Sequence, residues 1–132
     1  MKLADLLDRS GLDVPDRQLT VPVIDSLQAQ GDLIVLPLSM IGGRAILRGS
    51  WLELPAEGFE LARGKAGKGP YTLVANSGTC RLASRVKDPE HLAITAFVNT
   101  ATVYLVHPDH GAIGIAPGSW AVRRRRGLGI AA

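Results

Sequence analysis

The sequence predicts a mainly β fold, a small antiparallel β-barrel or sandwich with a short N-terminal helix. Short segments rich in Ile, Val, Thr and aromatic residues recur at intervals of roughly 8–12 residues, which is typical of these architectures. Fifteen glycines and eight prolines among 132 residues supply the many turns that such a fold needs. A chain of this length is expected to form one domain.

The composition favours a packed core, because 46% of the residues are apolar and only 20% are charged. Cys80 is the single cysteine and excludes an internal disulfide. Residues 1–15 carry three aspartates and no long apolar run, so no signal peptide is expected. No stretch approaches the roughly 18 apolar residues of a membrane span. We expect a soluble, cytoplasmic or virion-associated protein that has no membrane partner and no cofactor.

Residues 1–14 predict an amphipathic helix or arm that ends near Ser10-Gly11. Its three leucines stand at helical spacing: Leu3, Leu6 and Leu7. A helix this short does not persist alone, so the leucines must pack on the domain or on a neighbouring subunit. Residues 15–30 form a connector, in which 23–30 is expected to add one or two helical turns.

From residue 31 to residue 126 the pattern becomes that of a β-domain, followed by a tail over 127–132. The predicted strands, in chain order, are 33–36, 44–54, 59–63, 71–75, 79–86, 92–99, 102–107, 112–115 and 119–125. Asn76-Ser77-Gly78 predicts a hairpin between two of them. Asp88-Pro89-Glu90 is also compatible with the start of a helix, which leaves residues 88–97 open between helix and strand.

The segment His107-Pro108-Asp109-His110-Gly111 carries two of the three histidines. Imidazole and carboxylate suit zinc or iron, so His107, His110 and Asp109 are candidate ligands, with His91 as a third nitrogen. Pro108 and Gly111 predict a turn, however, so the spacing does not aim both imidazoles at one point. We therefore expect no bound metal and no catalytic residue here. In this interpretation His107 ends a strand and caps the turn.

Two other segments have chemistry that a function could use. The glycine-rich loop 64–69 carries Lys65 and Lys68, but it leads into a strand rather than a helix and lacks the Ser or Thr of a Walker loop, so a solvated hairpin loop is expected. Cys80 lies in a predicted strand and is expected to be a buried, inert thiol.

The arginine run predicts a basic patch: Arg123, Arg124, Arg125 and Arg126. It holds four of the fifteen basic residues of a chain whose net charge is only +3. Strand alternation would place Arg124 and Arg126 on the face of Trp120, and the other two on the opposite face. Because one strand cannot aim all four at one phosphate backbone, we expect at most weak, salt-sensitive nucleic-acid binding.

The segment from His107 to Arg126 resembles the end of many short, uncharacterised bacterial proteins, frequent in actinobacteria and on mobile elements. Those proteins end in His-Pro-Glu-His-Gly, an apolar alternation, Pro-Gly, an aromatic residue, Val and Arg-Gln-Arg-Glu. They also carry an early Gly-Asp before an apolar strand, similar to residues 31–37, and a middle glycine turn with a His-x-His pair. The resemblance covers about residues 31–126 and implies a shared fold.

This chain departs from that pattern at two places. Gly69 and Tyr71 stand where the resembled proteins have the middle histidines, and four arginines stand where they have Arg-Gln-Arg-Glu. If those proteins join four histidines into a metal or catalytic site, this chain lacks half of it. The departure therefore favours a structural or binding role.

We expect a non-catalytic, self-associating structural or binding module that forms a homo-oligomer, such as a ring, shell, filament, or virion or prophage component. The leucines of the arm are the expected assembly residues. One alternative is a metal-dependent or pocket enzyme that uses His107, His110 and Asp109. The other is a nucleic-acid-associated protein that uses Arg123 to Arg126.

Overall fold

The protein is mainly β and consists of two facing sheets, as a computed structural model describes it for residues 21–40, 46–48, 51–63, 69–83, 85–87 and 93–124. The predicted helix at 1–14, the loop at 64–68 and the tail lie outside the described residues. The sheets do not close on each other, so the architecture is that of a sandwich rather than a barrel. The predicted fold class is confirmed.

The described residues form thirteen strands and one short 3-10 helix. The strands are β1 (Val23–Ile24), β2 (Gln28–Gln30), β3 (Leu33–Pro37), β4 (Ile46–Arg48), β5 (Leu52–Glu53), β6 (Phe59–Arg63), β7 (Pro70–Val74), β8 (Cys80–Ala83), β9 (Arg85–Lys87), β10 (Ala93–Asn99), β11 (Val103–His107), β12 (Gly111–Ile115) and β13 (Gly118–Arg124). The 3-10 helix, Leu38–Met40, follows β3.

The first sheet has the order β1-β12-β11-β7-β6. Its pairs are antiparallel except for β1, which lies parallel to β12. Two hairpins build it, β6–β7 and β11–β12, and in the second His107 pairs with Gly111. The hairpin register therefore fixes the position of the histidine-bearing turn.

The second sheet has the order β2-β3-β13-β10-β8-β5, and β4 pairs with β9 in a separate ribbon. All of these pairs are antiparallel. The chain crosses from one sheet to the other several times, for example between β1 and β2 and between β10 and β11. The two sheets are thus joined by several backbone connections as well as by the core.

The core lies between the sheets and is built from alternate residues of each strand. Its large side chains include Leu33, Val35, Leu73, Phe97, Leu105, Ile115, Trp120 and Val122. Two polar side chains at its border donate to backbone carbonyls: Trp120 Nε1 donates to the carbonyl of Ala116 at 3.0 Å. The Asn99 amide donates to three carbonyls, of Ala101, Ile115 and Ala116, and so joins the end of β10 to the end of β12.

The helical turns expected within residues 23–30 are a wrong prediction, because the structure has strands β1 and β2 there. The amide of Gly114 donates to the carbonyl of Pro22 at 2.6 Å, and the amide of Ala116 donates to that of Ile24 at 2.9 Å. Pairing with the edge of a formed sheet satisfies these backbone groups, and this tertiary effect outweighs a weak local helical pattern.

The hairpin expected at Asn76-Ser77-Gly78 is also wrong, although the turn itself forms. The amide of Thr79 donates to the carbonyl of Asn76 at 3.2 Å, and Gly78 has a φ of +76°. The strands on either side of it, β7 and β8, nevertheless belong to different sheets. Crossing lets their apolar faces meet across the core, where Cys80 and Leu82 pack with Leu73.

Further segments differ in detail from the sequence expectation. The single strand predicted over 79–86 falls on two strands, β8 and β9, which pair with different partners. The single strand predicted over 44–54 contains two strands, β4 and β5, which pair with different partners. Residues 93–99 form a strand, which decides between helix and strand for the described part of 88–97. No helix within the described residues has the length and apolar character to cross a membrane.

Candidate functional site

Two turns and the start of β7 meet at one end of the sandwich, around the histidine-bearing turn. Strand β11 ends at His107, the turn runs through Pro108 to His110, and β12 begins at Gly111, whose φ is +83°. The turn between β2 and β3 and the start of β7 lie against it, since a side-chain carbon on Gly31 would touch His110, and one on Gly69 would touch Pro108. Residues from distant parts of the chain therefore lie close together at this end of the sandwich.

Three rings stack at this end, and we call Tyr71, His107 and His110 the histidine cluster. The ring centroids of Tyr71 and His107 lie 4.3 Å apart, and those of His107 and His110 lie 4.5 Å apart. Tyr71 and His110 are 6.2 Å apart and nearly parallel. Tyr71 and His107 are buried, whereas His110 and Asp109 are exposed. The cluster therefore has two buried rings and one exposed imidazole, and the exposed carboxylate of Asp109 lies next to that imidazole in the chain.

His107 acts as a cap for its own turn. Its ring is 0% exposed, and its Nδ1 accepts hydrogen bonds from the backbone amides of Asp109, at 3.0 Å, and His110, at 3.3 Å. Burial lowers the pKa of His107, and the neighbouring His110 lowers it further, against the opposing effect of Asp109 and Asp32. Because Nδ1 accepts both amides, the ring is the neutral tautomer with its proton on Nε2.

Tyr71 closes the cluster from the side of β7. Its hydroxyl accepts a hydrogen bond from the amide of Asp32 at 2.8 Å. Burial raises the pKa of Tyr71, and the nearby Asp32 and Asp109 carboxylates raise it too, while Arg124 and the Asp32 amide lower it. Charges of both signs therefore surround the rim of the cluster, but the phenol remains protonated at neutral pH.

Two glutamines on β2 bring further polar groups into the same end of the core. Gln28 and Gln30 are buried, and the Gln30 Nε2 donates to the carbonyl of Gly111 at 3.1 Å. Within the described part of the chain, both amide atoms of Gln28 and the Oε1 of Gln30 have no hydrogen-bond partner. Buried polar atoms of this kind are commonly satisfied by ordered water.

The structure brings together His107, His110 and Asp109 in one turn, as the sequence requires. Their arrangement does not form a metal centre: in the described ranges no group of three or more His, Cys, Asp or Glu is placed to hold a metal ion. One reason is that His107 has its Nδ1 engaged by two amides and its ring packed between other rings. His91 lies outside the described residues.

The basic patch is only partly described. Arg124 follows Trp120 and Val122 along β13, reaches the rim of the histidine cluster and is exposed. Arg123 is half-buried and follows Ala121, which packs in a different cluster with Leu36. Arg125 and Arg126 lie outside the described residues. The two described arginines thus point to opposite faces of the sheet.

The remaining candidates lie away from the histidine cluster. Cys80 is buried in the core, and burial raises its pKa to about 12, so its thiol is unreactive at neutral pH. A shallow cavity of about 410 Å³ is lined by Ala56, Glu57, Ala75 and Ser77.

Positions 69 and 71, which were predicted to correspond to histidines of the resembled proteins, lie against the histidine turn. In the structure Gly69, with a φ of +93°, packs on Pro108, and Tyr71 packs on both histidine rings. Four positions distant in sequence, 69, 71, 107 and 110, are therefore neighbours in space. In this chain the result is a packed aromatic stack.

The fold and this site define a class: a small all-β sandwich domain with a packed histidine-bearing turn at one end. Residues 29–125 match the family model of a domain of unknown function, DUF8820, and the chain belongs to that family. The match begins within β2 and ends just after β13, so it spans both sheets. No curated protein and no solved structure matches the chain significantly.

Sequence reasoning missed the roles of Tyr71, Gly31 and the two glutamines. The alternation Gln28-x-Gln30 before Gly31-Asp32 was a usable signal, because residues two apart on a strand share a face. The contact between Tyr71 and the histidines had no local signal, since it joins β7 to the end of β11.

Proposed function

We propose that the protein is a non-catalytic module that self-associates into a homo-oligomer. The observation that carries the proposal is a set of exposed apolar side chains on one continuous segment, residues 23–40. Val23 is 54% exposed, Leu27 49% and Met40 59%. Val23 lies on β1, at an edge of the first sheet, whereas Leu27 and Met40 flank the β2–β3 hairpin at an edge of the second sheet.

A non-catalytic role is supported by the state of the titratable groups. His107 is buried, neutral and bonded to two amides, and the Cys80 thiol is buried with a raised pKa. The exposed members, His110 and Asp109, lie on a turn at the sandwich end, away from the lining residues of the 410 Å³ cavity. General acid–base chemistry needs such groups in a site that holds a substrate.

Self-association is supported by the unfavourable free energy of leaving the apolar side chains of residues 23–40 exposed to water. Exposed apolar patches rimmed by polar residues mark interaction sites more often than ordinary surface. The strands at this side, β1 and β2, are only two and three residues long, which protects against uncontrolled edge pairing. The surface thus combines short edges with large apolar side chains and suits a specific contact. The leucines of the arm, proposed to assist assembly, lie outside the described residues.

The double variant L27S/M40Q should weaken self-association. Both side chains are about half exposed, so their replacement leaves the core intact and removes apolar area from the proposed contact. Losing two such contacts is expected to raise the dissociation constant by roughly tenfold or more. Sedimentation velocity over a concentration series measures this change.

Leu52→Ser is the matched control, because Leu52 is 60% exposed on β5 at the opposite edge of the same sheet. It should leave the dissociation constant within about twofold, as expected for a side chain outside the interface. Equal dissociation constants for L27S/M40Q and the unchanged protein would show that residues 23–40 do not form the interface.

A further inference from the structure

Strand β2 lies at the edge of the second sheet and, among the described strands, pairs with β3 alone. The two-residue turn Gly31-Asp32 joins β2 to β3 and closes on the pair of Gln30 and Leu33. In such a hairpin the closing residues exchange hydrogen bonds, and the next residue along the strand turns its backbone groups away from the partner. The N–H and C=O groups of Ala29 therefore point to the open edge, as do those of Leu27 just before the strand.

The open edge of β2 is exposed and uncharged. Leu27 is 49% exposed, and Ala29 is exposed as well. Both side chains lie on the outer face of the sheet, because Ala29 pairs with Ile34, which alternates with the core residues of β3. No charged residue and no proline stands between Leu27 and Gln30. Backbone groups and an apolar side chain are thus presented together at this edge.

The other described edge strands of the two large sheets carry features that oppose edge pairing. Strand β5 contains Glu53, and β6 contains Glu60 and Arg63 together with a register shift. Strand β1 follows Pro22 and has only two residues. Charges, prolines and irregular backbone are the usual means by which proteins protect a free edge. Strand β2 is therefore the described edge that is most open to another strand.

We propose that a second copy of the chain adds its own β2 to this edge, antiparallel and around a twofold axis that passes Gln28. This inference rests on the proposed self-association and specifies its contact. Leu27 of one copy stands opposite Ala29 of the other, and the two symmetric pairs exchange about four backbone hydrogen bonds. The second sheets of the two copies then form one continuous sheet.

The register follows from the position of the open backbone groups. The chain bends at Ser26 and turns at Gly31, so Leu27 and Ala29 are the residues that present groups to the edge. An axis at Gln28 uses both of them in both copies. An axis at Ala29 would set Leu27 opposite Gly31 and lose about half of the bonds. The axis at Gln28 also places the large Leu27 side chain beside the small side chain of Ala29, which leaves room for it.

The variant Ala29→Pro tests the pairing. Proline removes the N–H that the second copy would use, whereas the bonds between β2 and β3 do not need it. Self-association should weaken by roughly tenfold or more, because one hydrogen bond is lost on each side of the axis. Ala29→Ser keeps the N–H and is the matched control, with a dissociation constant expected within about twofold of the unchanged protein. Sedimentation velocity measures both constants, and circular dichroism shows whether each variant is folded.

Disulfide cross-linking tests the register without a proline. L27C and A29C are prepared separately, each with the buried Cys80 replaced by alanine, and are then mixed and oxidised where the unchanged protein self-associates. Opposite residues of a hydrogen-bonded antiparallel pair have Cα atoms about 5.5 Å apart, within reach of a disulfide. The mixture should therefore form a linked dimer. Each variant alone should not, because a residue and its own copy lie about 8–9 Å apart in this register.

Three results would overturn the proposal: an unchanged dissociation constant in folded A29P, no linked dimer in the mixture, or efficient linkage of A29C to itself. If A29P does not fold, the cross-linking decides. Any of these results in a chain that still self-associates leaves the proposed function in place with a different contact. A chain that stays monomeric at every concentration overturns both.

Discussion

Gly31→Ala is expected to destabilise the fold by about 2–5 kcal/mol, the sum of a backbone cost and a steric cost. Gly31 has a φ of +57°, which side chains rarely adopt. A side-chain carbon there would overlap the Tyr71 hydroxyl and stand 2.6 Å from the His110 Nε2. The turn would have to move away from the histidine cluster. Urea unfolding followed by circular dichroism measures the loss of stability.

The variant Gly78→Ala distinguishes the backbone cost of a positive φ from the steric cost of the added methyl group. Gly78 also has a positive φ, of +76°, but no atom of the described residues lies within 4 Å of its side-chain position. Its replacement should cost only about 1–2 kcal/mol. Tyr71→Phe removes the atom nearest to the new methyl group, so G31A should cost less in that background than in the unchanged protein. Equal losses for G31A and G78A would contradict the packing of the β2–β3 turn on the cluster.

The second large effect is a loss of stability at acidic pH that depends on His107. Its pKa is lowered in the folded protein by burial and by His110, so the unfolded chain binds the proton more readily. Stability is therefore fully present above the unfolded pKa of about 6.5, and it falls as the pH drops below that value. The slope should not exceed about 1.4 kcal/mol per pH unit, which corresponds to one proton.

His107→Asn should flatten this dependence. The asparagine Oδ1 can take the place of Nδ1 as acceptor for the two turn amides, but it does not bind a proton in this range. His110→Asn is the comparison: it leaves the His107 ring and its two amide bonds in place but removes the neighbour that adds to the lowering of the His107 pKa, so the pH dependence should become weaker without disappearing. A pH profile that is unchanged in H107N would contradict the role of His107 as a buried neutral cap.

The fold class was predictable because alternation and turn chemistry act locally. Strand β6, at Phe59–Arg63, coincides with the predicted segment, and β11 and β12 differ from their predictions by one residue. The partners of the strands were harder to predict. The turn at Gly78 forms as its residues indicate, yet β8 joins the other sheet because Cys80 and Leu82 gain burial there.

The site was predictable only in part. A turn that ends one strand and begins the next was indicated by Pro108 and Gly111, and the structure has it. The contacts of Tyr71 with His107 and His110 join positions more than thirty residues apart, and Gln30 reaches Gly111 across 81 residues. Such contacts follow from sheet order and register, which no local pattern specifies.

The molar mass of the full chain, measured by light scattering after size exclusion over a micromolar concentration series, tests the central claim most directly. The proposed interface predicts a mass that is a multiple of the chain mass and that declines on dilution as the contact through residues 23–40 dissociates. A constant mass of one chain at every concentration would contradict self-association. In that case the exposed side chains of Val23, Leu27 and Met40 would need another partner.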